Sequence, residues 1–134
     1  MSISEQLYNA CEKSDVKIIP TLIVKGGDPN WKNPDGGLTA LQSSCLRGDL
    51  DVVSALTSRG GFPDLVGPNG YVALHFAAKG GHQPVVEYLL LREANCLAVD
   101  DEGKSPSDVA RDAGFIELAK YISEGIFFIN SLFL

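Results

Sequence analysis

Apolar side chains fall along this chain in short paired clusters separated by turn-forming residues. From Gly70 to Asn95 it reads GYVALHFAAKGGHQPVVEYLLLREAN. Leu74, Ala77 and Ala78 stand at i, i+3 and i+4, which is one face of a short helix. Gly81 follows, and glycine tolerates the positive φ that ends a helix. Val85, Val86, Leu89 and Leu90 then make a second amphipathic stripe. Small residues dominate the first predicted helix and larger aliphatics the second.

The cluster repeats. Shifted by 33 residues, Gly37 falls on Gly70 and Gly70 on Gly103, Leu41 on Leu74, Cys45 on Ala78, and Gly48 on Gly81 and then Gly114. Val52 and Val53 fall on Val85 and Val86, and Leu56 on Leu89 and then Ile122. Upstream, Leu7, Ala10, Cys11, Ile18, Ile19 and Leu22 repeat the pattern, at an offset of 34 to the second unit. The extra residue lies between Trp31 and Gly37, which marks that stretch as a turn, since loops absorb insertions cheaply. The units span about 5–33, 34–66, 67–99 and 100–123. Two helices this short cannot bury their apolar faces alone, so neighbouring pairs must stack. The predicted fold is an all-α repeat solenoid of four helix pairs in one domain, residues 1–125. Asn33-Pro34-Asp35-Gly36-Gly37 and Gly67-Pro68-Asn69-Gly70 read as tight turns between pairs.

The end of the chain breaks the pattern. Seven of the nine residues from Ile126 to Leu134 are large and apolar. Nine residues do not span a bilayer, and no other apolar stretch approaches the roughly 18–20 residues that do. The expected role of 126–134 is to cover the open end of the fourth unit, with a partner or self-association surface as the alternative.

Composition narrows the function. The 134 residues suffice for one domain, and with 45% of them apolar they can bury a continuous core. The net charge of −6 and the absence of a Lys/Arg run argue against nucleic acid and anionic membrane surfaces as partners. Cys11, Cys45 and Cys96 are odd in number and none form a CxxC pair, so neither a disulfide framework nor a zinc ribbon is expected. Cys11 and Cys45 fall on the small-residue face and read as buried apolar side chains; Cys96 lies near a turn and reads as more exposed. The first ten residues lack the basic region and apolar run of a secretory leader. The reading is a reduced cytoplasmic protein, with the nucleus as the alternative. No GxSxG, P-loop or GxGxxG motif occurs, nor a nucleophile with a matched base. Neither catalysis, a metal nor a cofactor is expected.

These residues resemble the ankyrin-repeat family. The third unit carries Gly70, a TPLH-like box at Val72-Ala73-Leu74-His75, then Ala77-Ala78, Gly81-His82, Val85-Val86 and Leu89-Leu90. The second has Gly37, Thr39-Ala40-Leu41, Gly48 and Val52-Val53; the fourth has Gly103, Ser105-Pro106, Ala110 and Gly114. The resemblance covers roughly residues 5–123. It implies stacked helix pairs with short β-hairpin fingers, and binding of another protein through the finger tips and the concave face of the first helices. It implies that His75 and His82 make hydrogen bonds within and between repeats. The first unit lacks a preceding finger, as a terminal cap would. The fourth has Ser107 and Asp108 in place of Leu74 and His75, which fits a capping repeat with a solvent-facing outer side.

Positions that vary between units are the candidate binding residues under this resemblance. In the fingers they include Asp35, Leu38, Asn69, Tyr71, Asp101, Glu102 and Lys104; on the first helices they include Leu46, Arg47, Lys79 and Asp112. Leu38, Leu46 and Tyr71 would form an apolar centre ringed by charge. Trp31 stands where later units have Leu65 and Ala98. It reads either as an anchor for a partner or as packing against the second unit. The expected protein is a monomeric, non-catalytic interaction module. Two alternatives stand beside it. Gly27-Asp28-Pro29-Asn30-Trp31 and the stretch from Asp101 to Pro106 are similar to the ankyrin segment of some Arf GTPase-activating proteins, which would make the chain an accessory part of one. The apolar tail would suit a membrane-peripheral adaptor.

Overall fold

The computed structural model describes the backbone of residues 1–133 and the side chains of residues 1–125. Eight α-helices form four successive pairs. They are α1 (Ile3–Glu12) with α2 (Ile19–Val24), α3 (Ala40–Arg47) with α4 (Leu50–Thr57), α5 (Ala73–Gly80) with α6 (Gln83–Leu91), and α7 (Pro106–Asp112) with α8 (Ile116–Phe133). A 3-10 turn, Val16–Ile18, leads into α2. The first helices pack in the order α1, α3, α5, α7, and the second helices in the order α2, α4, α6, α8. The chain is therefore a two-layered stack in which each pair touches its neighbours in sequence, as the register of 33 requires.

The size difference between the two helix types explains the layers. Cys11, Cys45, Ala77, Ala78 and Ala110 are fully buried in the first layer, where small side chains let helices approach closely. Leu22, Val53, Leu56, Val86, Leu89 and Ile122 fill the second. Gly48 and Gly81 end α3 and α5 at φ +79° and +74°, a left-handed conformation that favours glycine. Space there is tight as well, because a Cβ on Gly48 would lie 2.4 Å from the His82 ring.

In α3 and α5 the third residue closes the start of its own helix and reaches a later carbonyl, and in α5 that second bond crosses into the next unit. Gln42 accepts a hydrogen bond from the Thr39 N–H at 3.0 Å, and its amide donates to the Leu65 carbonyl at 3.0 Å. His75, at the equivalent place, accepts from the Val72 N–H through Nδ1 at 3.1 Å. That bond fixes the proton on Nε2, which lies 2.9 Å from the Lys104 carbonyl and donates to it. Asp108 accepts from the Ser105 N–H at 3.1 Å and has no donor to offer, in the last pair of the stack. His82 lies 2.8 Å from the Leu46 carbonyl and joins the third unit to the second. Both histidines thus make the links within and between repeats that the resemblance implied.

Three expectations change. First, the fingers are hydrogen-bonded turns rather than β-hairpins. Among the described residues the antiparallel pairing is a single bridge, Lys32 with Thr39. The turns are closed by Asn33 N–H to Leu38, Gly67 N–H to Tyr71 and Asp100 N–H to Lys104. The first of these closures spans one residue more than the other two, and that is where the extra residue of the 34-residue offset sits. Second, Ser107 does not face solvent. It is buried, donates to the Ala119 carbonyl at 2.9 Å and meets the Ser123 hydroxyl at 2.7 Å, so its polarity serves the α7–α8 contact. Third, α8 runs to Phe133 and so is twice as long as α6. The expected capping role of 126–134, and the domain boundary at residue 125, rest on side chains outside the described residues.

Candidate partner-binding surface

The register of 33 arranges the candidate residues in rows. Leu46, Lys79 and Asp112 occupy one position on α3, α5 and α7, and all three are exposed. Leu38, Tyr71 and Lys104 occupy one position at the end of successive fingers. The two rows meet. The Lys79 ammonium sits over the Tyr71 ring, 5.6 Å from its centroid, and the Lys104 ammonium lies 2.5 Å from an Asp112 carboxylate oxygen and 3.5 Å from Glu102. The bond to Asp112, above all, raises the Lys104 amine above the usual lysine range.

Tyr71, Lys79, Glu102, Lys104 and Asp112 line one pocket of about 240 Å³ between the third and fourth units. The Tyr71 ring is fixed on one side by stacking on His75 at 5.1 Å and by an edge contact to Phe76 at 5.1 Å. Burial pushes its hydroxyl above the usual tyrosine range, and the charges of Asp100, Glu102 and Asp112 add to that shift. These carboxylates line the same pocket as Tyr71. Burial holds His75 below the usual imidazole range, against the opposing pull of the Lys104 carbonyl and Asp100.

Three lining residues escaped the sequence reading: Asp100, Val109 and Ala113. Each lies within three residues of a named candidate. Asp100 looked like a turn residue because it is one: its Oδ1 accepts from the Glu102 N–H at 2.8 Å and from the Lys104 N–H at 2.9 Å. Those bonds, Lys104 first, hold its carboxyl below the usual carboxylate range.

The other candidates lie elsewhere or do other work. Trp31 is half-buried against the core and sets its edge against Tyr8 of α1 at 5.7 Å. Arg47 donates to Glu12 at 2.8 Å, to Ser43 at 2.7 Å and to the Cys11 carbonyl at 3.1 Å, bridging the first two units. Leu38 is half-buried against the core, whereas Leu46 is exposed. Asp35 is exposed at the first finger, its N–H bonded to the Asn33 side chain. Asn69 adopts φ +61°, and its carbonyl accepts from the Asp101 N–H at 3.0 Å, linking adjacent fingers.

The cysteines are unpaired. Burial pushes the Cys11 thiol up to about 12 and raises that of Cys45 as well. Among the described residues no three His, Cys, Asp or Glu side chains gather as a metal site would, and no helix is long and apolar enough to cross a membrane.

Comparison with known proteins agrees with this geometry. A family model of ankyrin repeats matches residues 7–100 in three copies. The fourth helix pair lies beyond that match and is supplied by α7 and α8. The chain is also 43% identical over 53 residues to the tyrosine-protein kinase Shark of Drosophila melanogaster. That stretch is 40% of this chain and 6% of the kinase. Neither finding lends support to a link with Arf GTPase-activating proteins. With its register, its stacked helix pairs and a family match over more than half its length, the chain belongs to the ankyrin-repeat family.

Proposed function

We propose that residues 1–125 form a non-catalytic module that binds another protein along its finger side, centred on the rows Leu46–Lys79–Asp112 and Leu38–Tyr71–Lys104. The observation that carries this reading is the contrast between positions. Apolar residues that repeat every 33 are buried, while these rows change chemistry from unit to unit, with Leu46, Lys79 and Asp112 exposed and Leu38, Tyr71 and Lys104 half-buried. A rigid stack holds such a surface in place before a partner arrives, so little ordering entropy is lost on docking. The three unpaired thiols suit a reducing compartment, the cytoplasm or the nucleus. The test is affinity capture from a cell lysate with the native chain beside a Leu46→Ser, Lys79→Ser, Asp112→Ser variant that retains its helical signal. Proteins captured by the native chain and lost from the variant support the surface; the same set captured by both contradicts it.

A further inference from the structure

The last unit is the most acidic part of the chain. Residues 100–125 hold seven carboxylates and three cations, so −4 of the net −6 lies there. All three cations are already engaged: Lys104 with Asp112 and Glu102, Arg111 with Asp108 at 3.0 Å, and Lys120 with Glu117 at 3.7 Å. The pocket between the third and fourth units sets Asp100, Glu102 and Asp112 against Lys79 and Lys104, a net of one negative charge. Asp100 lines it and is only 8% exposed. Both of its hydrogen bonds enter through Oδ1, and among the described residues Oδ2 accepts none. No fully buried side-chain oxygen there lacks a partner, so Oδ2 opens to solvent. Val109 and Ala113 supply apolar surface beside it, and Tyr71 an aromatic ring.

Resting on the binding surface proposed above, we infer that this pocket receives an arginine side chain from a basic segment of the partner. A guanidinium has a planar fork of donors and an apolar stem. The stem fits against Tyr71, Val109 and Ala113, and the fork meets Asp100 Oδ2 together with Asp112 or Glu102. Lys104 holds those two carboxylates in the free protein, so the partner's cation displaces an internal one.

The test is an amide NMR titration of the isotopically labelled chain at about 150 mM ionic strength. The probe is a blocked Gly-Arg-Gly-Arg-Gly peptide, with its citrulline counterpart as the uncharged control. Shifts are expected to concentrate on Tyr71 and on residues 100–104 and 109–113, with none from the citrulline peptide. Asp100→Asn keeps the Oδ1 acceptor and removes the charge, as Asn33 does in the first finger; it is expected to weaken binding about fivefold, the loss of one modest charge contact. Lys104→Ala is expected to strengthen binding about threefold by freeing Asp112 and Glu102. Shifts spread evenly over the chain, equal binding of the citrulline peptide, no binding, or weaker binding by Lys104→Ala would each overturn the inference. If the peptide fails while lysate capture remains sensitive to the triple variant, the arginine chemistry falls and the binding surface stands; if both fail, so do both readings.

Discussion

Replacing His75 by alanine tests the coupling of the last two units most sharply. The substitution leaves the buried Val72 N–H without a partner, removes one of the two hydrogen bonds at the Lys104 carbonyl, which keeps the Asp100 N–H, and removes the ring on which Tyr71 stacks. An unmet buried polar group costs about 1–3 kcal/mol and a stacked ring about 0.5–1.5 kcal/mol. The lower half of each range applies, because Lys104 is only half-buried, and with about 0.5–1 kcal/mol for the bond lost at its carbonyl the sum is about 2–4 kcal/mol. That is a large share of the roughly 5–15 kcal/mol that holds a domain together. The chain contains its own control. Gln42 closes the start of α3 as His75 closes that of α5, so His75→Gln should recover the Val72 bond and stay within about 2 kcal/mol of the native chain. Urea unfolding followed by helical circular dichroism at neutral pH measures both. The pH dependence adds a sign. Burial lowers the His75 pKa in the fold, so its contribution is complete above the unfolded value of about 6.5 and is lost as pH falls through the lower folded value. Wild type should therefore lose stability on acidification from pH ~7.5 to ~5.5 more steeply than His75→Gln. Equal losses for alanine and glutamine, or a cost below about 1 kcal/mol for alanine, would refute the claim that His75 couples the units.

Further outcomes follow from the same contacts. Gly48→Ala should cost well over the roughly 1–2 kcal/mol of a left-handed alanine, because the new Cβ also strikes the His82 ring; Gly114→Ala, at φ +92° with nothing within 4 Å, should cost only the conformational part, both read by urea unfolding. A thiol reagent at pH ~8 should label Cys96 first and reach Cys11 and Cys45 only after unfolding, because burial suppresses their thiolates. Rapid labelling of Cys45 in the folded chain would contradict its place in the core. Arg47→Met should destabilise the contact between the first two units by about 1–2 kcal/mol, since the two hydrogen bonds that a half-exposed guanidinium makes across it, to Glu12 and the Cys11 carbonyl, are lost, as measured by thermal unfolding.

The fold was legible because a solenoid makes its contacts between neighbours. Leu41 and Leu74 are buried for the same local reason, and a register of 33 exposes that reason in the sequence. Even the inserted residue was placed correctly, in the wider first turn. What stayed hidden depended on side-chain reach rather than on spacing. Ser107 reads as a polar residue facing water until Ala119 and Ser123 are seen to bond it. Arg47 reads as a candidate for partner binding until its three acceptors are seen. Trp31 turns back onto Tyr8. Of the binding surface, the rows were visible as varying positions, but the meeting of Lys79 with Tyr71 and of Lys104 with Asp112 joins finger to helix across eight residues.

Hydrogen–deuterium exchange of the complex with a captured partner tests the central claim most directly. Protection is expected in residues 35–47, 68–80 and 101–113, the fingers and first helices of the last three units, and not in α4 or α6. Protection confined to α4 and α6, with the fingers exchanging as in the free chain, would contradict the account.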